Sequence, residues 1–146
     1  MKIIAITNHK RDIIEHDWLA RAEVVHRQLR PQLPVDYVAR MKEIFAGGAE
    51  MAVAVVDDQL LGLAVFRMVE CTFTGREMYC DDLVSNEKNR STGIGHMLIA
   101  YMENLARERA ANVVTLDSGT QRQQAHKFYF REEFTISSFH FSKSLQ

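Results

Sequence analysis

Between positions 90 and 96 the chain reads Arg-Ser-Thr-Gly-Ile-Gly-His. An apolar, β-favouring run ends just before this stretch, and an amphipathic helical pattern starts within it. A strand, a tight two-glycine loop and a helix start are therefore expected. Backbone N–H groups at a helix start lack intrahelical partners, and the helix dipole adds positive potential there. Glycine lets a bulky anion approach the backbone, and Arg90 adds a fixed positive charge. The chemistry such a loop can do is to hold phosphate groups. It is not a nucleoside-triphosphate loop, because Gly95 is followed by His96-Met97 where Lys-Ser/Thr is needed. Nor is it a dinucleotide fingerprint, because Leu98 stands where the third glycine belongs.

Other reactive side chains offer less. Cys71 and Cys80 have eight residues between them, form no CxxC pair and are expected as reduced thiols in strands. The six histidines show no paired-ligand spacing, so no metal is expected.

The elements that must position the loop follow from periodicity. Residues 2–7 are expected as a first strand. Trp18, Ala22, Val25 and Leu29 place one apolar stripe on a helix over about residues 12–30, which Pro31 and Pro34 end. Val35, Val38, Met41, Ile44 and Phe45 give a second stripe that stops at Gly47-Gly48. Strands are expected over 51–56, 60–69 and 77–85, with turns at 57–59 and 74–76. A long helix runs from Ile94 to about Ala110, then come a strand over 112–116, a short helix over 123–131 and a last strand over 135–141. The tight turns make the middle strands antiparallel, and the strand–helix–strand unit over 77–118 favours a parallel crossover. The fold class is thus mixed α/β, a central and mostly antiparallel sheet with helices on both faces, in one domain over 1–146.

With this order of elements, Arg90-x-x-Gly93-x-Gly95 after one strand and Ala125-His-Lys-Phe128-Tyr129 after the next resemble the GNAT superfamily of acyl-CoA-dependent N-acetyltransferases. The match is densest from Tyr79 to Phe134. The resemblance implies that the amides of Ser91, Thr92, Gly93, Ile94, Gly95 and His96, with Arg90 beside them, wrap the pyrophosphate of the co-substrate acetyl-CoA. It implies that Leu83, Val84 and Ser85 pair with the pantetheine arm. A bulged or splayed strand leaves backbone groups that an amide-bearing arm can satisfy. The chain departs from the family in four places: no proline soon after the strand, Ser91 where glycine often follows the arginine, Glu133 where the short helix usually ends in glycine, and Arg122 where an asparagine is common. Arg122 can contact the coenzyme or a substrate carboxylate, or stand as a solvated arginine.

Acetyl transfer needs a neutral amine, yet an alkylammonium near pKa ~10 is neutral in only about one molecule in a thousand at pH 7. Asp81 stands where polyamine-type members of the family carry an acid. It can accept that proton, directly or through water, or simply bind the cation. On a regular strand Tyr79, Asp81 and Leu83 share one face and Asp82 points away, so the two aspartates are not expected to act together. Tyr129 stands where the family places a hydroxyl near the coenzyme sulfur, and a phenol can protonate a leaving thiolate. Direct attack in a ternary complex is implied. Neither cysteine has an activating partner that would support an acyl-cysteine.

The acceptor pocket is expected around residues 16–36 with the turn near Phe73 to Arg76. His16, Asp17, Trp18 and Tyr37 are candidates for its lining, with Trp18 better read as core. Polyamine, amino acid, aminoglycoside and protein amino terminus all remain open as acceptors. Two other functions stay in view, a coenzyme A-binding regulatory module without turnover and acetylation of aminoacyl-tRNA. Composition narrows the partners. Net charge is −1 with scattered basic residues, which argues against nucleic acid. No apolar run approaches the ~20 residues of a membrane span, and the first apolar stretch is too short for a secretion signal. A cytoplasmic protein without a membrane partner is expected. Dimers are common in the resembled family, and exchange of the carboxy-terminal strand would give a homodimer.

Overall fold

Seven consecutive residues, Ala49–Val55, are buried. An unbroken buried run means a strand covered on both faces, and the rest of the architecture supplies the covers. The computed structural model describes residues 1–146. In chain order the elements are β1 (Lys2–Ala5), α1 (His16–Leu29), α2 (Tyr37–Ala46), β2 (Ala49–Val56), β3 (Gln59–Cys71), β4 (Gly75–Ser85), a 3-10 turn (Glu87–Asn89), α3 (Ile94–Glu108), β5 (Val113–Leu116) and α4 (Gln123–Arg131). The chain packs as two units, Met1–Thr115 and Leu116–Gln146.

The first unit carries the sheet, in the order β1-β2-β3-β4-β5. The first four strands pair antiparallel with their neighbours. β2 and β3 join through Asp57 and Asp58, both left-handed at φ 46° and 61°, the two-residue turn whose twist matches a hairpin. β5 starts beside the start of β4: the Asn112 N–H donates to Arg76 O at 2.8 Å, and its side-chain amide donates to Thr74 O at 2.8 Å. Both strands leave from that end, so the crossover through α3 is parallel.

Met51, Val53 and Val55 of β2 pack into one core with Leu19, Ala22 and Val25 of α1 and with Met41 and Phe45 of α2. Residues of opposite parity face α3. There Ala52 pairs with Ala64 and Ala54 with Gly62, a floor of small side chains. The floor lets α3 sit close: a Cβ on Gly62 would lie 2.5 Å from Ile94 Cγ2 and 2.9 Å from Val84 O. Gly62→Ala is therefore expected to lower the unfolding free energy by about 1–3 kcal/mol, read as a drop in urea midpoint at constant slope.

The structure revises the expected elements in four places. α1 begins at His16 rather than near 12, because Ile13 bridges to Thr7 and the Ile14 and Glu15 amides donate to Ile6 O. Its buried stripe is Leu19, Ala22, Val25 and His26, with Trp18 half-buried under Arg21. Val35 lies outside α2 and is exposed, because Asp36 is the N-cap, accepting from the Ala39 N–H at 3.0 Å. The expected strand over 135–141 does not form, and Ile136, Phe139 and Phe141 are exposed. A strand requires a partner ladder, and the second unit on its own holds α4 but no full strand for 135–141 to pair with.

Candidate active site

The loop after β4 is anchored at its entry. The Asn86 N–H donates to Leu61 O at 2.7 Å, extending the tie to β3 beyond the strand. Gln28 of α1 clamps the same point: its amide donates to Asn86 Oδ1 at 3.3 Å, and its carbonyl accepts from the Glu87 N–H at 2.9 Å. Arg90 is extended and exposed. Ser91 then takes φ 65° and Gly93 φ 86°. Ser91 thus adopts the left-handed conformation that glycine gives more cheaply, at a cost of about 1 kcal/mol. No side chain caps α3; the Thr92 hydroxyl is turned back onto Asn89 O at 2.5 Å. The first α3 bond runs from the Met97 N–H to Gly93 O at 3.0 Å, so the amides of Ile94 and Gly95 precede it. A Cβ on Gly93 would meet nothing within 4 Å, so the space before the helix start is open. An uncapped helix start, open space and an exposed arginine together suit an anion.

A second feature arises where β4 breaks its register. Asp82 pairs with Val65 but Cys80 with Phe66, which leaves Asp81 as the extra residue of a β-bulge. The bulge resets the alternation of side chains. Asp81 and Asp82 consequently line the same cavity of about 260 Å³, together with Tyr79, His26 of α1 and Arg30 at the α1 C-cap. The expectation that Asp82 points away from Asp81 fails for this reason.

Each carboxylate has its own partners. Asp81 is gripped by the fork of Arg67, Nε to Oδ1 at 2.9 Å and Nη2 to Oδ2 at 2.5 Å. Asp82 accepts on Oδ1 from Arg30 Nε at 2.8 Å and on Oδ2 from His26 Nε2 at 2.7 Å. Burial pushes the Asp82 carboxyl up, but the hydrogen bonds and charges of His26 and Arg30 outweigh it and hold the group below the usual aspartate range. Tyr37 closes the chain at 2.8 Å from His26 Nδ1. Burial, helped by Glu23 and Asp82, raises the Tyr37 phenol well above its ordinary value, so it stays protonated. Ionised Asp82 accepts only, so His26 Nε2 carries a proton directed at it.

In the second unit, Tyr129 is buried against Phe128 and Phe134, with ring centroids 5.5 and 5.8 Å away. α4 ends with Glu133 at φ 67°, the Phe134 N–H on Tyr129 O at 3.0 Å and the Glu133 N–H on Phe130 O at 3.1 Å. This is a Schellman closure with glutamate at the usual glycine position. The departure at Glu133 is thus accommodated by left-handed backbone. Arg122 is the half-buried N-cap of α4 and makes no side-chain cap bond.

The model of the acetyltransferase (GNAT) family matches residues 12–134. The chain belongs to that family. Among its relatives, an uncharacterized N-acetyltransferase, YhdJ, of Bacillus subtilis (strain 168) is 28% identical over 138 residues, covering 92% of this chain and 97% of the relative. The aminoalkylphosphonate N-acetyltransferase of Salmonella typhimurium is 38% identical over 64 residues, 44% of this chain and 42% of that enzyme. Among solved structures, the aminoglycoside N-acetyltransferase AAC(6')-Iy in complex with coenzyme A superposes with a TM-score of 0.82 at 16% identity, over 99% of this chain and 95% of that one. The likeness to the last is one of fold.

For this acetyltransferase the sequence singled out the loop, Asp81 and Tyr129, and placed the acceptor pocket near the first two helices. The 260 Å³ cavity lies against α1, the α1–α2 connection and α2, through His26, Arg30, Leu33, Met41 and Ile44. Phe73 to Arg76 are not part of its lining, and Phe73 stands exposed at the β3–β4 turn. His16 and Asp17 are exposed at the start of α1, while Tyr37 is fully buried. Gln28, His26, Arg30 and Arg67 escaped notice. His26 had a signal: it lies four residues after Ala22 on the apolar stripe, so a buried polar group was implied. The partners of the other three are residues 14 to 59 positions away, which no local pattern exposes.

Proposed function

We propose that this enzyme moves the acetyl group of acetyl-CoA to a primary amine of a small molecule or peptide, by direct attack in a ternary complex. The uncapped start of α3 behind two left-handed residues carries the reading. The residues fit the coenzyme: Ser91 to His96 would hold its pyrophosphate on backbone amides, with Arg90 alongside. The four residues of β5, starting beside the start of β4, leave the later part of the eleven-residue β4 beyond their reach. That supports Leu83, Val84 and Ser85 as the edge for the pantetheine arm. The coenzyme supplies an activated thioester; the protein supplies placement and proton transfer.

Asp81, held by Arg67, orients the incoming amine and passes its proton to water. Neutralising an alkylammonium at pH 7 costs roughly 4 kcal/mol, which a carboxylate with a water relay offsets in part. Tyr129 protonates the leaving thiolate. An acyl-cysteine route finds no support at Cys80, where burial, then Asp82 and Asp81, raise the thiol far above its ordinary value.

The direct test mixes the protein with acetyl-CoA and a panel of amines and follows thiol release, with calorimetry of coenzyme binding in parallel. Thiol release dependent on an amine is the expected result. Tight coenzyme binding without release for any amine would leave a binding module instead. Strong tRNA affinity that falls steeply with salt would point to aminoacyl-tRNA.

A further inference from the structure

We infer that the acceptor is an amine that also carries an acidic group, and that Arg30 receives that group. The inference rests on the acetyl-transfer reading above and goes beyond it by naming a substrate class.

The charges facing the cavity come from three elements. β4 brings Asp81 and Asp82, α1 and its C-cap bring His26 and Arg30, and Arg67 reaches Asp81 from β3. The other walls, Leu33, Met41, Ile44 and Val65, are apolar apart from the Tyr79 phenol. Two carboxylates thus meet two guanidinium groups, and both carboxylates are taken. Arg67 uses two nitrogens on Asp81. Asp82 is held between Arg30 and His26, with only 13% of its side chain exposed. Asp81 can still face one incoming amine beside Arg67, but the further ammonium groups of a polycation would find no unpaired carboxylate in this cavity.

Arg30 differs from every other charge in the cavity. Its side chain is 43% exposed, the most of any ionic group there. Its Nε and Nη2 serve Asp82, and Nη2 also reaches Asp81 O at 3.3 Å. It stands where the cavity meets an adjoining one of about 630 Å³, the two sharing Arg30, Leu33, Ile44 and Asp82. In the adjoining space Arg40 pairs with Glu43 at 3.0 Å, and Asp36 is engaged as the cap of α2. Nη1 of Arg30, outside the bonds to Asp82 and Asp81 and on an exposed guanidinium at such a junction, can donate to a carboxylate, phosphonate or sulfonate.

The test uses the wild-type protein with acetyl-CoA and matched acceptors. Amino acids, aminoalkyl phosphonates and aminoalkyl sulfonates are each set against the alkylamine of equal length, with spermidine and an aminoglycoside as polycations. Acid-bearing amines are expected to exceed their plain counterparts in kcat/KM by about tenfold or more, mainly through KM. Arg30→Gln should erase that ratio, and Arg30→Lys should restore part of it. Preference for polycations, or an unchanged ratio in Arg30→Gln, would overturn the inference while leaving acetyl transfer intact. Coenzyme binding with no amine turned over at all would instead remove the acetyl-transfer reading on which it rests. The wild-type comparison needs no variant, so a poorly folding Arg30 substitution does not protect the idea.

Discussion

Asp82→Asn is expected to lower the unfolding free energy at pH 7 by about 3 kcal/mol and to flatten the acid limb of the stability profile. Asp82 is the common acceptor of His26 and Arg30, and His26 in turn is hydrogen-bonded to Tyr37. Asparagine keeps the shape but removes the charge, so Arg30 loses its partner and one buried imidazole bond becomes neutral. The sign follows from the direction of the shift. The folded-state pKa lies below the ordinary aspartate value of 3.8. The stabilisation is therefore fully present above that ordinary value and drains away as pH falls through the folded one. Wild-type protein should lose stability progressively below about pH 4, and the variant should lose less over the same interval. Urea titrations at a series of pH values measure both. Parallel acid limbs would mean that Asp82 is not held as the geometry indicates.

The fold was legible wherever local chemistry decides structure. The Asp57-Asp58 turn, the end of α2 near Gly47 and the bounds of α4 all follow from residues within a few positions of each other. The failures share a cause. The segment 135–141 alternates like a strand, but alternation records which face a strand would bury and says nothing of whether a neighbour exists. Val35 fits the apolar period of α2, yet the capping bond of Asp36 fixes the helix start after it.

The loop after β4 was legible because its geometry is one of backbone conformation, which glycine and its neighbours control locally. Even the departure at Ser91 resolves into the same left-handed geometry. The cavity beside Asp81 and Asp82 was only half legible. Asp81 could be found by position, but the bulge that turns Asp82 to the same side depends on the register with β3. Arg67 and Arg30, which cancel the charge of the two aspartates, come from other elements. The acceptor class was left open in the sequence, and neither arginine partner of the two aspartates could be read there.

Tyr129→Phe is expected to lower turnover by about 10²–10⁴-fold while leaving coenzyme affinity nearly unchanged. The substitution is informative because of what it keeps. The ring packs against Phe128 and Phe134, and the closure of α4 runs through the Tyr129 carbonyl, so both survive the loss of a hydroxyl. Stability should shift by less than about 1.5 kcal/mol, which thermal unfolding checks. What disappears is the one group proposed to hand a proton to the departing sulfur. Leaving-group dependence separates this role from a merely structural one. A thioester whose thiol has a lower pKa needs less protonation, so the variant should recover much of its deficit with such an analogue. An equal deficit with both thioesters would make the hydroxyl a positioning group. Unchanged turnover with acetyl-CoA would remove Tyr129 from the mechanism and leave the thiolate to be stabilised by backbone amides or water.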